Sequence, residues 1–118
     1  MPAISLFRNE PGHRELGSGD VLFEAGDPAS HVYGVVSGEI EIVVDGEVVE
    51  TVGPDRIFGE LALLGDHHRL AGARAATDSV IAEVDEARFL ALVKMNPFFA
   101  LEMMREMAER FERQQRPA

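Results

Sequence analysis

Between His13 and Gly53 no β-forming run lasts longer than six residues before turn residues interrupt it. Gly17-Ser18-Gly19-Asp20 precedes Val21-Leu22-Phe23, and Gly26-Asp27-Pro28-Ala29-Ser30 precedes His31-Val32-Tyr33-Gly34-Val35-Val36. Ser37-Gly38 turns into Glu39-Ile40-Glu41-Ile42-Val43-Val44, and Asp45-Gly46, a tight-hairpin pair, leads into Glu47-Val48-Val49-Glu50-Thr51-Val52. Ile40, Ile42 and Val44 alternate with Glu39, Glu41 and Val43, which predicts a sheet with one face mostly wet. Short strands with a turn about every ten residues predict a small antiparallel roll or barrel. Gly53-Pro54-Asp55-Arg56 closes this half.

Farther along, Ala73–Thr77 and Val80–Val84 read as two more strands, with a turn at Asp78-Ser79. Asp85-Glu86 then caps a helix carrying Phe89, Leu90, Leu92 and Val93. Asn96-Pro97 ends it and starts a second helix, at whose first turn proline is tolerated. That helix carries Leu101, Met104, Met107, Ala108 and Phe111 on one face and frays at Gln114–Ala118. Part of the face, with Met103, Phe98 and Phe99, is expected to pack on the roll. Leu101, Met104, Ala108 and Phe111 also follow a short a/d spacing that could pair two copies. The expectation is one domain over residues 1–118, mainly β with C-terminal α: a roll over about 12–85 and helices over about 86–115. No internal repeat or linker is evident.

Within this frame one stretch carries chemistry: Phe58-Gly59-Glu60-Leu61-Ala62-Leu63-Leu64-Gly65-Asp66-His67-His68-Arg69-Leu70-Ala71. Leu61, Leu63 and Leu64 predict a single buried helical turn with Gly59 at its start. The first N–H groups of a helix have no partner within it, and the dipole adds positive charge there. Glycine at that end lets an anion reach the backbone unhindered by a Cβ. Arg69 follows Glu60 by nine positions and would offer a forked contact to the same phosphate. Glu60 repels phosphate, so its presence calls for a hydroxyl donor such as a sugar. Phosphate and sugar hydroxyl in one small pocket suggest a nucleotide. A solvated strand-edge arginine is the bland alternative for Arg69.

Phe58-Gly59-Glu60-Leu61-Ala62-Leu63-Leu64, followed by Arg69-Leu70-Ala71, resembles the phosphate-binding cassette of cyclic nucleotide-binding domains. These domains occur in protein kinase A regulatory subunits, catabolite activator proteins and cyclic nucleotide-gated channels. Their cassette reads roughly F-G-E-x-A-L, a variable loop, then R and two small residues, and the likeness extends over nearly the whole chain. It implies an antiparallel β-roll of the jelly-roll or double-stranded β-helix type, a short cassette helix and two C-terminal helices. It also implies that Arg69 pairs with the cyclic phosphate, that Glu60 accepts from the ribose 2′-hydroxyl, and that backbone N–H groups around Leu61 and Ala62 add phosphate donors. The C-terminal helices would form a mobile lid over the base. Leu70 departs from the Ala, Ser or Thr common at its position and offers no donor to guanine, which favours cAMP over cGMP as ligand. His68 stands where many relatives carry proline, which should loosen the loop.

A net charge of −10 argues against a nucleic-acid partner and against anionic membrane surfaces. Without cysteine there are no disulfides or thiolate metal sites. No apolar run approaches about twenty residues, and Met1-Pro2-Ala3-Ile4-Ser5 does not read as a signal peptide, so the expected location is cytoplasmic. His67 and His68 tempt a metal reading of the cupin kind. Adjacent histidines on an extended segment point to opposite faces, however, and His13 and His31 belong to no such motif. No residue spacing suggests catalysis. The expected function is a free-standing, non-enzymatic sensor whose output passes to an unidentified downstream protein or to a homodimer formed through the last helix. A degenerate, non-binding interaction module of the same fold is the first alternative, and a cupin-like metalloenzyme the second.

Overall fold

The computed structural model describes residues 7–115. Eight strands come first, with one short helix among them: β1 (His13–Leu16), β2 (Val21–Phe23), β3 (His31–Ser37), β4 (Ile40–Val44), β5 (Glu47–Val52), β6 (Ile57–Phe58), α1 (Glu60–Leu64), β7 (Gly72–Ala75) and β8 (Ser79–Asp85). Two helices, α2 (Glu86–Met95) and α3 (Pro97–Gln115), complete the fold. The strands form two antiparallel four-stranded sheets, ordered β1-β8-β3-β6 and β2-β7-β4-β5. This is the expected β-roll with C-terminal helices. At the β4–β5 turn Asp45 and Gly46 have φ of 52° and 81°, the two positive values that a type I′ hairpin turn demands.

Alternation of side chains sorts the apolar residues into two cores. Tyr33, Val35, Ile40, Val52, Phe58 and Ile81 fill the interior between the sheets. Val32, Ile57, Ala82 and Val84 point the other way and meet Phe89, Leu92, Phe99 and Met103 of the helices. The first sheet is thus buried on both faces along β3, which explains its nearly unbroken apolar sequence. Asp85 caps α2 by accepting from the Arg88 backbone N–H at 2.8 Å. Strand β7 is shifted relative to the expected Ala73–Thr77, because Thr77 is drawn into the following turn, where its hydroxyl accepts from the Glu39 N–H at 3.2 Å.

Two expectations about helix faces need correction. In α1 only Leu63 of the three leucines is buried, at 4% exposed, while Leu61 and Leu64 are 44% and 56% exposed. The inward positions belong to Glu60 and Ala62. In α3 the buried face is Phe99 and Met103, continued by half-buried Glu106 and Arg110, whereas Leu101, Met104 and Phe111 lie outside. The Phe99 ring decides this rotation. It sits 5.5 Å from Phe7 and 5.8 Å from Phe89, and positions four, seven and eleven residues on must follow it inward. Fraying is expected from Gln114, yet α3 keeps a helical backbone through Gln115; the rest of that expectation, at 116–118, lies outside the described residues.

Gly34 is where Phe7 seats: a Cβ added there would fall 2.3 Å from Phe7 Cδ2, far inside contact distance. Gly34→Ala is therefore expected to lower the free energy of unfolding by about 1–3 kcal/mol, the usual range for overpacking a core. Urea denaturation would measure this, and an unchanged midpoint would mean that Phe7 does not pack against the sheet.

Candidate functional site

A cavity of about 230 Å³ opens between α1, the β4–β5 hairpin, the end of β2 and α3. All eight residues expected at a binding site line it: Phe58, Gly59, Glu60, Leu61, Ala62, Arg69, Leu70 and Ala71. Phe23, Val44, Val49, Glu50 and Arg110 also line it, and the sequence reading had assigned none of these to the site.

Main-chain bonds fix the cassette. Gly59 caps α1 with φ of 84° and brings no side-chain cap to its free N–H groups. A side chain would be strained in this left-handed conformation. A Cβ there would also lie 2.7 Å from Arg69 Nη1, so the glycine makes room for the guanidinium. The loop after α1 is stitched to the β2–β3 connection. Gly26 N–H donates to Arg69 O, Arg69 N–H to Asp27 O, and Ala29 N–H to His67 O, all within 2.7–2.8 Å. The clamp holds the loop by main-chain bonds on both sides of His68.

Arg69 is 5% exposed, which removes the reading of a solvated edge arginine. Its Nη1 donates to Gly59 O at 3.0 Å and its Nη2 to His31 O at 2.8 Å. The plane rests on aromatic faces, with Cζ 4.1 Å from the Phe23 centroid and 5.4 Å from that of Tyr33. Nε has no partner, and Arg69 forms no ion pair among the described residues. Burial pulls its pKa down from the ordinary value. Buried charges are normally paired with an opposite charge, and Arg69 is instead held by two carbonyl oxygens and two aromatic faces.

Glu60 is its counterpart, fully buried. Oε1 accepts from Arg110 Nη1 at 2.6 Å, while Oε2 is buried with no partner. Burial raises the pKa of this carboxyl above 4.5, against the lowering pull of the Arg110 charge. The sequence alone called for a hydroxyl donor to explain Glu60; the structure adds an arginine on one oxygen and leaves the other open. Arg110 also donates to Ile57 O at 3.1 Å and places Nε 2.8 Å from Glu50 Oε2, an ion pair without hydrogen-bond alignment. Sequence reasoning passed over Arg110, although a signal existed. Phe99, Met103, Glu106 and Arg110 follow helical spacing, and charges on a buried face must find partners.

Leu61, Leu70 and Val49 stand at the cavity exposed by 44%, 69% and 55%. Leu70 offers that wall no hydrogen-bond donor. Among the described residues no three His, Cys, Asp or Glu side chains gather as a metal site. His67 Nε2 instead faces Glu86 Oε2 at 3.4 Å, and His68 Nδ1 lies 3.1 Å from Asp66 O.

The family of cyclic nucleotide-binding domains matches residues 13–96, and this chain belongs to it. An uncharacterized protein of Mycobacterium tuberculosis is 42% identical over 75% of this chain and 17% of its own length. The cAMP-dependent protein kinase regulatory subunit of Eremothecium gossypii is 31% identical over 80% of the chain and 20% of its own length. The chain therefore spans about a fifth of these curated relatives. Among solved structures, the Thermus thermophilus catabolite activator protein superposes with a TM-score of 0.81 at 26% identity, over 95% of this chain and 55% of that one. A structure from work on a cyclic-GMP-dependent signalling pathway in bacterial phytopathogenesis gives 0.74 at 34% identity, over 91% and 87%. No described helix is long and apolar enough to cross a membrane.

The raised Glu60 pKa fixes the sign of a pH effect. The native carboxyl binds its proton more tightly than the unfolded one, so its contribution to stability is full below about pH 4.5 and is lost as pH rises through the native pKa. Relative to wild type, Glu60→Gln should gain stability as pH is raised from 4 toward 8. Urea midpoints across that range test this, and a difference constant with pH would mean that Arg110 fully offsets the burial.

Proposed function

We propose that this domain is a cytoplasmic, non-enzymatic sensor that binds a cyclic nucleotide, with cAMP the preferred ligand. One observation carries the reading: a buried guanidinium lacking an anion and a buried carboxylate oxygen lacking a donor line the same cavity. A cyclic nucleotide supplies both missing groups on one rigid frame. Arg69 takes the phosphate through Nε and its remaining N–H groups, with backbone N–H groups of Leu61 and Ala62 beside it. Glu60 Oε2 accepts from the ribose 2′-hydroxyl while Oε1 stays on Arg110. The base lies along Val44, Val49, Leu61 and Leu70. The absence of a donor on Leu70 supports adenine. Guanine is the second reading, favoured by the 34% identity to a structure from work on a cyclic-GMP-dependent signalling pathway.

Ligand can move α3 only by binding one of its arrangements more tightly. Glu60 touches both ligand and helix in this scheme, which provides the coupling. The signal would pass to further segments of a longer protein, to an unidentified partner, or to a second copy docked on Leu101, Met104 and Phe111. A pocket that binds nothing would make the domain an interaction module of the same fold.

Saturating cAMP is expected to raise the melting temperature, because a ligand at about one hundred times its Kd stabilises the native state by about 2.7 kcal/mol. No shift with cAMP or cGMP would support the interaction module instead. In calorimetry Arg69→Ala should weaken cAMP by at least about tenfold, since a charge-assisted hydrogen bond contributes about 1.5–3 kcal/mol. Unchanged affinity would remove Arg69 from the site.

A further inference from the structure

Glu50 lies on β5, one strand before the cassette, and three arginines converge on it. Arg56 Nη2 and Arg113 Nη2 both donate to Oε1 at 2.9 Å, and Arg110 Nε lies 2.8 Å from Oε2. The Glu50 side chain is only 14% exposed. Arg56 comes from the turn between β5 and β6, and its Nε also donates to Glu106 of α3 at 2.8 Å. Arg110, 12% exposed, carries the chain of contacts on to Glu60. Three carboxylates (Glu50, Glu60 and Glu106) thus face three guanidiniums (Arg56, Arg110 and Arg113). A neutral cluster of this kind tolerates burial, whereas removing one partner leaves an uncompensated charge behind.

The last turns of α3 have little else to hold them. Phe99 and Met103 anchor the beginning of the helix, while beyond Met107 the inward position is occupied by Arg110 and the apolar Phe111 is 61% exposed. From this geometry we infer that Glu50 is the positioning residue that docks the end of α3, and that it sets the Glu60 carboxylate through Arg110. Electrostatics, in place of apolar contact, holds the second half of the helix to the cavity wall. The consequence for ligand affinity rests on the reading of the pocket given above; the consequence for the helix does not.

Amide hydrogen exchange in the ligand-free protein tests the docking directly. Glu50→Gln keeps an acceptor oxygen but removes the charge, and should speed exchange at residues 107–113 by at least about tenfold while leaving β3 and β8 unchanged. In wild type the same amides should exchange faster when salt is raised from about 50 mM to about 500 mM, and in the variant this dependence should be weaker, because only the Arg56–Glu106 and Arg110–Glu60 pairs remain. Arg113→Gln removes one contact from outside the cavity and should give a smaller acceleration of the same amides. It decides the matter alone if Glu50→Gln does not fold. Exchange at 107–113 unchanged in the folded variants would overturn the proposal. Calorimetry with cAMP should then show both variants binding about threefold or more weakly, because fewer molecules hold the competent arrangement. Wild type that fails to bind cAMP would overturn the reading of the pocket, while the exchange rates would still decide the role of Glu50.

Discussion

Two opposite charges, Arg69 and Glu60, are buried on one cavity, and they do not pair with each other. Taking an isolated ion out of water costs several kcal/mol, so each must be held by something else. Arg69 is held by two carbonyl oxygens and two aromatic faces, an arrangement that satisfies hydrogen bonds without neutralising the charge. Glu60 is held by Arg110, which neutralises it but uses one oxygen only. The Arg69 charge is therefore not neutralised by a carboxylate, and one Glu60 oxygen has no hydrogen-bond donor. Much of the surrounding architecture keeps them in place: the left-handed Gly59, the clamp between the cassette loop and residues 26–29, and the stack of Phe23, Tyr33 and Phe58.

Division into two cores gives this site its stiffness on one side and its freedom on the other. Phe58 belongs to the interior between the sheets and Ile57 to the layer beneath the helices, so the strand that leads into the cassette is fastened on both faces. Helix α3 is fastened by apolar contact only near its start. Its end reaches the cavity through charged side chains, which respond to salt and to ligand charge far more than a packed core does.

The roll is legible in the sequence because its signals are local. Asp45-Gly46 requires two positive φ values at a hairpin, and the structure has them. The cassette was legible for a similar reason: Gly59, Glu60 and Arg69 sit close enough in sequence for their spacing to carry geometry. Helix faces were harder to read. The apolar series Leu101, Met104, Met107, Ala108 and Phe111 obeys helical spacing, yet a second series, Phe99, Met103, Glu106 and Arg110, obeys it equally. Periodicity cannot choose between two faces when the inward one contains charges that find buried partners. The same held in α1, where the carboxylate of Glu60 turned inward and Leu61 and Leu64 turned out.

By itself the sequence determined the short strands and their turns, since each depends on residues within a few positions of one another, and the cassette, whose residues from Phe58 to Ala71 form one continuous stretch, carried the resemblance to cyclic nucleotide-binding domains. Only tertiary structure decided that Arg110 would grip Glu60 from fifty residues away, that Phe23 and Tyr33 would carry the Arg69 guanidinium, and that Glu50 would gather three arginines. The physical reason is that a buried charge is stabilised by whichever partner the fold brings within about 3 Å, and chain separation leaves no trace of that distance in the order of residues.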